Sequence, residues 1–289
     1  MEISSNLLLK KVVEAITLAE CNLPPDVENM IRRAYETETE MGKAQLKAIL
    51  ENVRIAREMR APICQDTGLF SYYVEIGDDF PIRASKIKKV LIDATVEATK
   101  SIPLRPNAID VLTEKNTGNN VGQGIPDISW DHVDGNTLRI AVLPKGGGSS
   151  YVAKLHSIPP AKGLKGVVEA VIRSVFDAGS MPCPPTFVGI GIGGTEDLAM
   201  KLAKKALLAR MDENSKNEEL AKLEREIVDK ANSLGIGPMG LGGKWTIFNA
   251  RIEWASRHPA TLLTGVCFSC WALRKAFVEV SGDEIRVYQ

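Results

Sequence analysis

The sequence predicts a mixed α/β fold in which a helical N-terminal layer packs on a mixed β-sheet domain. Residues 1–60 show apolar residues at helical spacing, and residues 61–289 alternate strand-length apolar runs, helical segments and glycine-rich turns. The chain shows no internal repeat and no low-complexity linker. We therefore expect one domain over 1–289, with the helical layer at 1–60 and the α/β part at 61–289.

Three helices are predicted in the N-terminal layer. NLLLKKVVEAITLAE carries an apolar stripe at helical spacing. The stripe consists of Leu8, Val12, Ala15, Ile16 and Ala19. PPDVENMIRRAYETE starts with prolines and has acidic residues in its first turn, which is typical of a helix start. MGKAQLKAILENVRIAREMR should end near Ala61, because Pro62 disfavours helical backbone at the residue before it.

Strands and helices then alternate along the rest of the chain. Apolar runs predict strands at 70–76, 137–143, 186–192, 246–255, 261–268, 275–281 and 284–288. Helical periodicity predicts helices at 85–100, 163–179, about 195–210 and 217–235. Residues 101–136 are rich in proline, glycine, asparagine and aspartate and show no clear period. We predict that they form an ordered irregular segment, of a kind that is often functional.

Charge and composition narrow the classes of function. The chain has 36 lysines and arginines and 36 aspartates and glutamates, so its net charge of zero predicts neither nucleic acid nor a membrane surface as a partner. No apolar run approaches the roughly 20 residues that span a bilayer, and the N-terminus lacks the features of a secretory signal. Five widely spaced cysteines argue against a disulfide framework. We expect a cytoplasmic protein.

Three cysteines lie in segments that are poor candidates for a core. Cys64 belongs to APICQDTG (61–68), Cys183 is flanked by prolines in MPCPP, and Cys270 stands where the strand GVCFS ends. Thiolates from three distant loops suit an iron–sulfur cluster, and three ligands leave one iron of a four-iron cluster open as a Lewis acid. A structural zinc site would usually show two CxxC pairs, and only Cys267 and Cys270 have that spacing. The alternative, that each cysteine is a small buried core residue, stays open at this point.

Five motifs occur in order along the chain, and together they resemble a known family. They are APICQDTG, LRPN, KGGGS, MPCPPTFVGIGIGGT, and HPA followed by CWALR. The chain resembles the iron–sulfur class I fumarases over nearly its whole length, from about residue 5 to 275. It looks like the separate α subunit of the two-subunit form, and L-tartrate dehydratase α subunits share the same pattern.

The resemblance implies a [4Fe-4S] cluster held by Cys64, Cys183 and Cys270. Cys267 lies three residues off the pattern and Cys21 lies in a helical stripe, so both are expected to be structural. The resemblance also implies that residues in four of the five motifs contact the substrate, as they do in the family. The residues concerned are Gln65, Asp66, Arg105, the glycine loop around Gly147, and His258.

Each of these residue types suits a role that the resemblance implies. Gln65 can hydrogen-bond a carboxylate or hydroxyl of the substrate, and Asp66 can exchange a proton with the hydroxyl that leaves or arrives. Arg105 offers a planar fork of donors for a carboxylate. His258 is a second catalytic candidate.

The implied reaction is the reversible hydration of fumarate to L-malate, with the open cluster iron as Lewis acid. L-tartrate or a methylated fumarate is the alternative substrate. In the family, the base that removes the carbon-bound proton is associated with the other half of the enzyme. We therefore expect a β subunit as partner, in an α₂β₂ heterotetramer.

Two interpretations of other classes compete with this one. Gly189-x-Gly191-x-x-Gly194 follows a strand and precedes a helix, like the fingerprint of an NAD-binding oxidoreductase. The second strand with its terminal acid is missing, because another charged helix follows instead. The other alternative is a non-catalytic iron–sulfur scaffold subunit, which would bind a cluster without turnover.

Overall fold

The computed structural model describes residues 4–289 and confirms the prediction of a mixed α/β protein. The first three residues of the predicted N-terminal layer lie outside the described part. The helices and strands, in chain order, are α1 Ser5–Cys21, α2 Pro25–Thr37, α3 Glu40–Met59, β1 Leu69–Gly77, α4 Ala84–Ser101, β2 Asp127–Val133, β3 Thr137–Lys145, α5 Gly147–Tyr151, β4 Lys154–Ile158, α6 Gly163–Ala178, β5 Thr186–Ile192, α7 Glu196–Ala206, α8 Glu218–Asn232, β6 Ile247–Trp254, β7 Leu262–Ser269, β8 Ala276–Ser281 and β9 Glu284–Tyr288. No helix within residues 4–289 is long and apolar enough to cross a lipid bilayer.

Two compact units divide the chain, and each gathers segments that are distant in sequence. The first unit holds the described residues up to Pro24 together with Asn52–Gly146 and Arg274–Gln289. The second unit holds Pro25–Glu51 and Gly147–Leu273. The three predicted N-terminal helices are confirmed: α1 belongs to the first unit, α2 to the second, and α3 contributes to both. The prediction of one domain over 1–289 stays a prediction.

A five-stranded mixed sheet in the order β2-β1-β3-β8-β9 forms the centre of the first unit. β1 is parallel to β2 and antiparallel to β3, and β8 is antiparallel to both of its neighbours. The apolar stripe of α1 is fully buried in one core with α4 and the sheet, as its helical spacing predicts. Leu69 at the start of β1 pairs with Lys145 at the end of β3, so the loops at this edge of the sheet lie close together.

A four-stranded mixed sheet in the order β4-β7-β5-β6 forms the centre of the second unit. β5 is parallel to β6 and antiparallel to β7. Phe187 near the start of β5 pairs with Ser269 at the end of β7, and Thr186 pairs with Ile247 at the start of β6. The loops that precede β5 and β6 and the loop that follows β7 therefore meet at one edge of this sheet.

Strand β5 (TFVGIGI) separates the helices that pack on it into two layers. Successive side chains of a strand point to opposite faces. Val188, Ile190 and Ile192 share a buried core with apolar residues of α6 and α8. Gly189 and Gly191 lie on the other face, where a Cβ atom would come within 2.0 Å of backbone oxygens of α7. Both glycines are therefore explained by the close packing of α7 on the strand, rather than by a phosphate-binding turn.

Three short elements were missed by the sequence prediction. β2 lies inside the segment 101–136 that was expected to be irregular, and it pairs with β1 at the edge of the sheet. Its residues are at most half-buried, and the short alternation of Ile128 and Trp130 with polar residues lies inside a segment rich in proline, glycine, asparagine and aspartate. β4 and α5 have five residues each, which is too short to show a period.

Candidate functional site

The loop between α3 and β1 carries Cys64 and is anchored just before it. The N–H of Ile63 donates to the carbonyl oxygen of Glu20 at 2.9 Å, and the side-chain amide of Asn52 donates to the carbonyl oxygen of Ile63 at 2.8 Å. Ile63 is buried, whereas Cys64 is half-buried and Gln65 is exposed. The anchored backbone therefore presents the side chains of Cys64 and Gln65 at the surface of the first unit.

Thr67 joins this loop to Arg105, the predicted carboxylate-binding residue. Thr67 Oγ1 accepts the N–H of Arg105 at 3.1 Å, and Asn107 Nδ2 donates to the carbonyl oxygen of Gly68 at 3.0 Å. The fully buried Asn120 donates through Nδ2 to the carbonyl oxygen of Arg105 at 3.1 Å. The backbone of Arg105 is thus fixed beside the CQDTG segment, while its side chain is exposed. The structure brings these two predicted motifs together in the first unit.

Asp66 lies against the start of a third motif, KGGGS. Its Oδ1 accepts the N–H of Gly68 at 3.0 Å. A Cβ atom at Gly146 would lie 2.8 Å from Oδ2 of Asp66, and one at Gly68, where φ is +78°, would lie 2.5 Å from the carbonyl carbon of Lys145. Gly68 therefore requires glycine, whereas a side chain at Gly146 would displace the Asp66 carboxylate. The Asp66 carboxylate is held where three of the five motifs meet.

A buried ion pair that the sequence analysis does not identify supports the same loop. Glu20 and Arg274 are 0% and 2% exposed, and Arg274 Nη1 donates to Glu20 Oε2 at 2.6 Å. Arg274 Nη2 donates to the carbonyl oxygen of Asp66 at 2.9 Å. Burial raises the pKa of Glu20 to about 7, against the opposing effect of the Arg274 cation. One signal was present in the sequence: Glu20 follows Ile16 by four residues on the apolar stripe of α1, where a charged residue indicates a buried partner.

Cys183 and Cys270 lie at the same edge of the sheet in the second unit. β7 ends at Ser269, directly before Cys270, and Ser269 pairs with Phe187 near the start of β5. Cys183 precedes the start of β5 by three residues. The N–H of Trp271 donates to the carbonyl oxygen of Cys183 at 3.3 Å and so joins the two cysteine loops. Antiparallel pairing of β5 and β7 is the reason that these distant residues become neighbours.

Glycine-rich segments hold the Cys183 loop in its conformation. A Cβ atom at Gly148, in KGGGS, would lie 3.0 Å from the carbonyl oxygen of Met181. The N–H of Met239, in the loop before β6, donates to the carbonyl oxygen of Pro184 at 2.7 Å. Cys183 itself is exposed and has a φ of +53°. A non-glycine residue keeps such a conformation only where its surroundings enforce it, and such residues cluster at functional sites.

Gly147 and His258, the remaining predicted site residues, lie at different places in the second unit. Gly147 is the exposed first residue of α5, next to Gly148. His258 is exposed in the loop between β6 and β7, where its Nδ1 accepts the N–H of Ala260 at 3.1 Å. β7 spans eight residues, and a strand advances about 3.4 Å per residue. The structure therefore places His258 at the opposite end of β7 from Cys270 and does not bring the two together.

Exposure separates the five cysteines into two groups. Cys21 and Cys267 are buried, and burial raises the pKa of Cys21 to about 11, which disfavours its thiolate. Cys64 and Cys270 are half-buried and Cys183 is exposed. Because thiolates bind iron–sulfur clusters, the three accessible cysteines fit the ligand set that the resemblance implies.

Within residues 4–289, no group of three or more His, Cys, Asp or Glu side chains could hold a metal ion. The cysteine ligands of a four-iron cluster need not surround one ion, because each of them binds a different iron.

The chain matches the Fumerase family, described as fumarate hydratase (Fumerase), over residues 9–279. It is 43% identical over 278 residues to a protein of Methanocaldococcus jannaschii that carries the provisional name L(+)-tartrate dehydratase subunit alpha, with 94% of this chain and 97% of that protein covered. It is 34% identical over 280 residues to the L(+)-tartrate dehydratase subunit alpha of Escherichia coli, with 96% and 92% covered. The family match includes all five motifs. The chain therefore belongs to the fumarate hydratase (Fumerase) family, the iron–sulfur class I hydro-lyases that its motifs predicted.

Proposed function

We propose that this chain is the α subunit of an iron–sulfur hydro-lyase that reversibly hydrates fumarate to L-malate. The observation that carries the proposal is the contrast among the cysteines. The three that lie in family motifs are accessible in ordered loops, whereas the two outside the ligand pattern are buried. A cytoplasmic location follows, because thiols stay reduced in that compartment.

The proposed ligands of the [4Fe-4S] cluster are Cys64, Cys183 and Cys270. When bound, a cluster with three cysteine ligands supplies a Lewis-acidic iron with an open position. The protein contributes the substrate contacts around it.

Asp66, Gln65 and Arg105 have the side chains suited to the hydration step. The Asp66 carboxylate holds or releases a proton at the hydroxyl that is added or removed, and its bond to the N–H of Gly68 keeps it oriented. Gln65, which is exposed next to it, donates to an oxygen of the substrate. Arg105 binds a carboxylate of the substrate through the two parallel N–H donors of its guanidinium group. Its backbone is fixed by Thr67 and its side chain is exposed.

A second polypeptide completes the reaction in this proposal. Removing the carbon-bound proton needs a base, and the resulting negative charge needs fixed positive groups. The relatives carry the name subunit alpha, which supports a β subunit as the source of these groups. We propose an α₂β₂ assembly. Gly147 as a substrate contact and His258 as a catalytic residue remain part of the proposal.

L-tartrate is a second candidate substrate. The relatives at 43% and 34% identity are named as L(+)-tartrate dehydratase subunits. Tartrate carries one more hydroxyl than malate, and a site built to hydrogen-bond that hydroxyl can discriminate strongly between the two. Steady-state kinetics of the assembled enzyme with L-malate, fumarate and L-tartrate decides between them through the ratio of their kcat/KM values.

The ligand set is tested by single substitutions in protein purified without oxygen. Cys64→Ser, Cys183→Ser and Cys270→Ser should each lose the cluster, measured as iron, acid-labile sulfide and visible absorbance. Cys21→Ser and Cys267→Ser are the matched controls and should retain it. Full iron content in any of the first three variants removes that residue from the site. Loss of the cluster only in Cys267→Ser would mean that Cys267, and not Cys270, is the ligand in the CxxC pair.

The partner requirement is tested with the same protein. The chain alone, with an intact cluster, should show no appreciable hydration of fumarate, and addition of the β subunit should restore it. Brief exposure to air should abolish that activity, and Fe²⁺ with a thiol should restore part of it. Turnover by the isolated chain contradicts the divided site. A cluster without turnover in any assembly supports the scaffold alternative, and tight binding of NAD supports the oxidoreductase alternative.

A further inference from the structure

The Cys64–Asp66 segment is held at both ends by bonds that lead to Glu20. At one end, the N–H of Ile63 donates to the backbone oxygen of Glu20 at 2.9 Å. At the other end, Arg274 Nη2 donates to the carbonyl oxygen of Asp66 at 2.9 Å, while Arg274 Nη1 donates to the Glu20 carboxylate at 2.6 Å. One residue of α1 therefore determines where the segment begins and, through Arg274, where it ends.

Stability alone is a poor explanation for this ion pair. Burying both charges costs desolvation free energy, and replacing a buried pair by apolar residues of similar size is often neutral or stabilising. The pair is also incompletely satisfied, because Glu20 Oε1 is buried and accepts no hydrogen bond from the residues that the structure describes, 4–289. What the pair provides is a donor, in a fixed orientation, for the exposed turn that carries Cys64 and Gln65.

The guanidinium group suits this task better than another cation. Its planar fork presents two N–H donors in different directions, so one side chain can bind a carboxylate and a separate carbonyl oxygen together. Lysine would keep the charge opposite Glu20 but would lose the fork. Because Arg274 is almost fully buried, no solvent competes for these bonds.

We propose that Glu20 and Arg274 form a positioning pair that fixes the conformation of the Cys64–Gln65–Asp66 segment. Neither residue is proposed to touch the substrate. The importance of this segment rests on the function proposed above, whereas the positioning itself is a property of the chain.

Amide hydrogen exchange of the full-length chain, measured without cluster, tests the positioning. In Arg274→Lys and in the double variant Glu20→Leu/Arg274→Met, peptides that cover 61–68 should exchange at least tenfold faster than in the wild type. Peptides from the central strands of the same unit should be unchanged. Arg274→Lys should retain most of the unfolding free energy that Arg274→Met loses, but it should not restore the protection of 61–68 from exchange. If the pair only stabilised the fold, stability and protection would recover together.

Two further variants serve as controls. Glu20→Gln keeps an acceptor for Arg274 and should exchange like the wild type. Arg139→Lys alters another ion pair of the first unit, with Glu75 at 3.5 Å, six residues along β1 from its start. It should also leave 61–68 protected.

The outcomes separate this inference from the proposed function. Folded Arg274→Lys or double variants whose 61–68 exchange stays within twofold of the wild type would overturn the positioning role. Global unfolding of every Glu20 and Arg274 variant would also overturn it, because the pair would then act on the whole fold. Absence of cluster or hydratase activity in the wild-type enzyme contradicts the proposed function. The positioning role of Glu20 and Arg274 is then still decided by the exchange result.

Discussion

Glu20 in the first unit and Glu38 in the second are both buried glutamates, but their pKa values are shifted in opposite directions. Burial raises the pKa of Glu20 to about 7, although the Arg274 cation opposes the shift. Burial also acts to raise the pKa of Glu38, but there the backbone N–H groups of Lys244, Thr39 and Trp245 outweigh it and lower the pKa. The two sites therefore satisfy the same side chain by different means.

The identity of the hydrogen-bond donor decides whether the pKa of each buried carboxylate is raised or lowered. The N–H groups of Thr39, Lys244 and Trp245 donate to Glu38 at 2.7 to 3.0 Å, and no second charge has to be desolvated. Glu20 relies on the cation of Arg274, which is itself buried. One carboxylate oxygen of Glu20 accepts no hydrogen bond within residues 4–289. Glu38 is thus a stable anchor for the loop before β6, whereas Glu20 is an anchor whose charge depends on pH.

The largest expected effect is that of removing one partner of the buried pair. Arg274→Met should lower the free energy of unfolding by about 3–5 kcal/mol, because it leaves Glu20 without its counter-charge. The double variant Glu20→Leu/Arg274→Met should lose much less, since no buried charge remains. Urea unfolding at pH 8 measures both. A double variant no more stable than the single one contradicts this view of the pair.

Removal of the second-unit anchor should have the next largest effect. Glu38→Ala leaves three backbone donors without their acceptor and should cost about 2–4 kcal/mol. Glu40→Ala is the control, because its side chain is 97% exposed and its loss should stay within about 0.5 kcal/mol. Urea unfolding of the two variants gives the comparison. Equal costs would mean that Glu38 is not an anchor.

The pH dependence of stability should distinguish the two carboxylates. Between pH 4.5, the ordinary pKa, and about 7, the unfolded chain has released the Glu20 proton while the folded chain retains it, so stability should fall as pH rises. At about 1.4 kcal/mol per pKa unit, the effect should be on the order of 3 kcal/mol. Arg274 and Asp66 are the charges that act on Glu20. Glu38, with its lowered pKa, should instead lose stability as pH falls below 4.5.

Unfolding midpoints from pH 3 to 8 measure both trends. The fall with rising pH should be absent in Glu20→Gln, and the loss at low pH should be absent in Glu38→Gln. If Glu20→Gln follows the wild-type curve, Glu20 does not titrate in this range.

The smallest effect on stability, with a large one on activity, is expected at Gly146. A Cβ atom there would lie 2.8 Å from Oδ2 of Asp66, the flexible end of a side chain, so Asp66 can turn away at a cost of about 1 kcal/mol or less. The proposed hydration should then fall roughly 10²-fold, because the carboxylate is misplaced. At Gly122 the nearest atom would be 3.6 Å away, so Gly122→Ala should change neither quantity. Unchanged kcat in Gly146→Ala argues against a role for Asp66.

The sequence by itself determined the elements and motifs whose signals are local. The stripe of α1 lies within one helix, and the prolines beside Cys64 and Cys183 mark loops without any knowledge of the fold. The burial of Cys267 also follows from its place inside an apolar strand. Such features depend on residues a few positions apart, so periodicity and backbone restriction are enough to predict them.

Only the tertiary structure decided which of these pieces meet. Thr67 bonds Arg105 across 38 positions, and Glu20 bonds Arg274 across 254. The direction of β7 places His258 and Cys270 at opposite ends of one strand, although they are close in sequence. The edge strand β2 pairs with β1 along seven residues, a partner that lies about 50 positions earlier in the sequence. Pairing over such separations is decided by the packing of whole sheets and helices, and no single segment of the sequence encodes it.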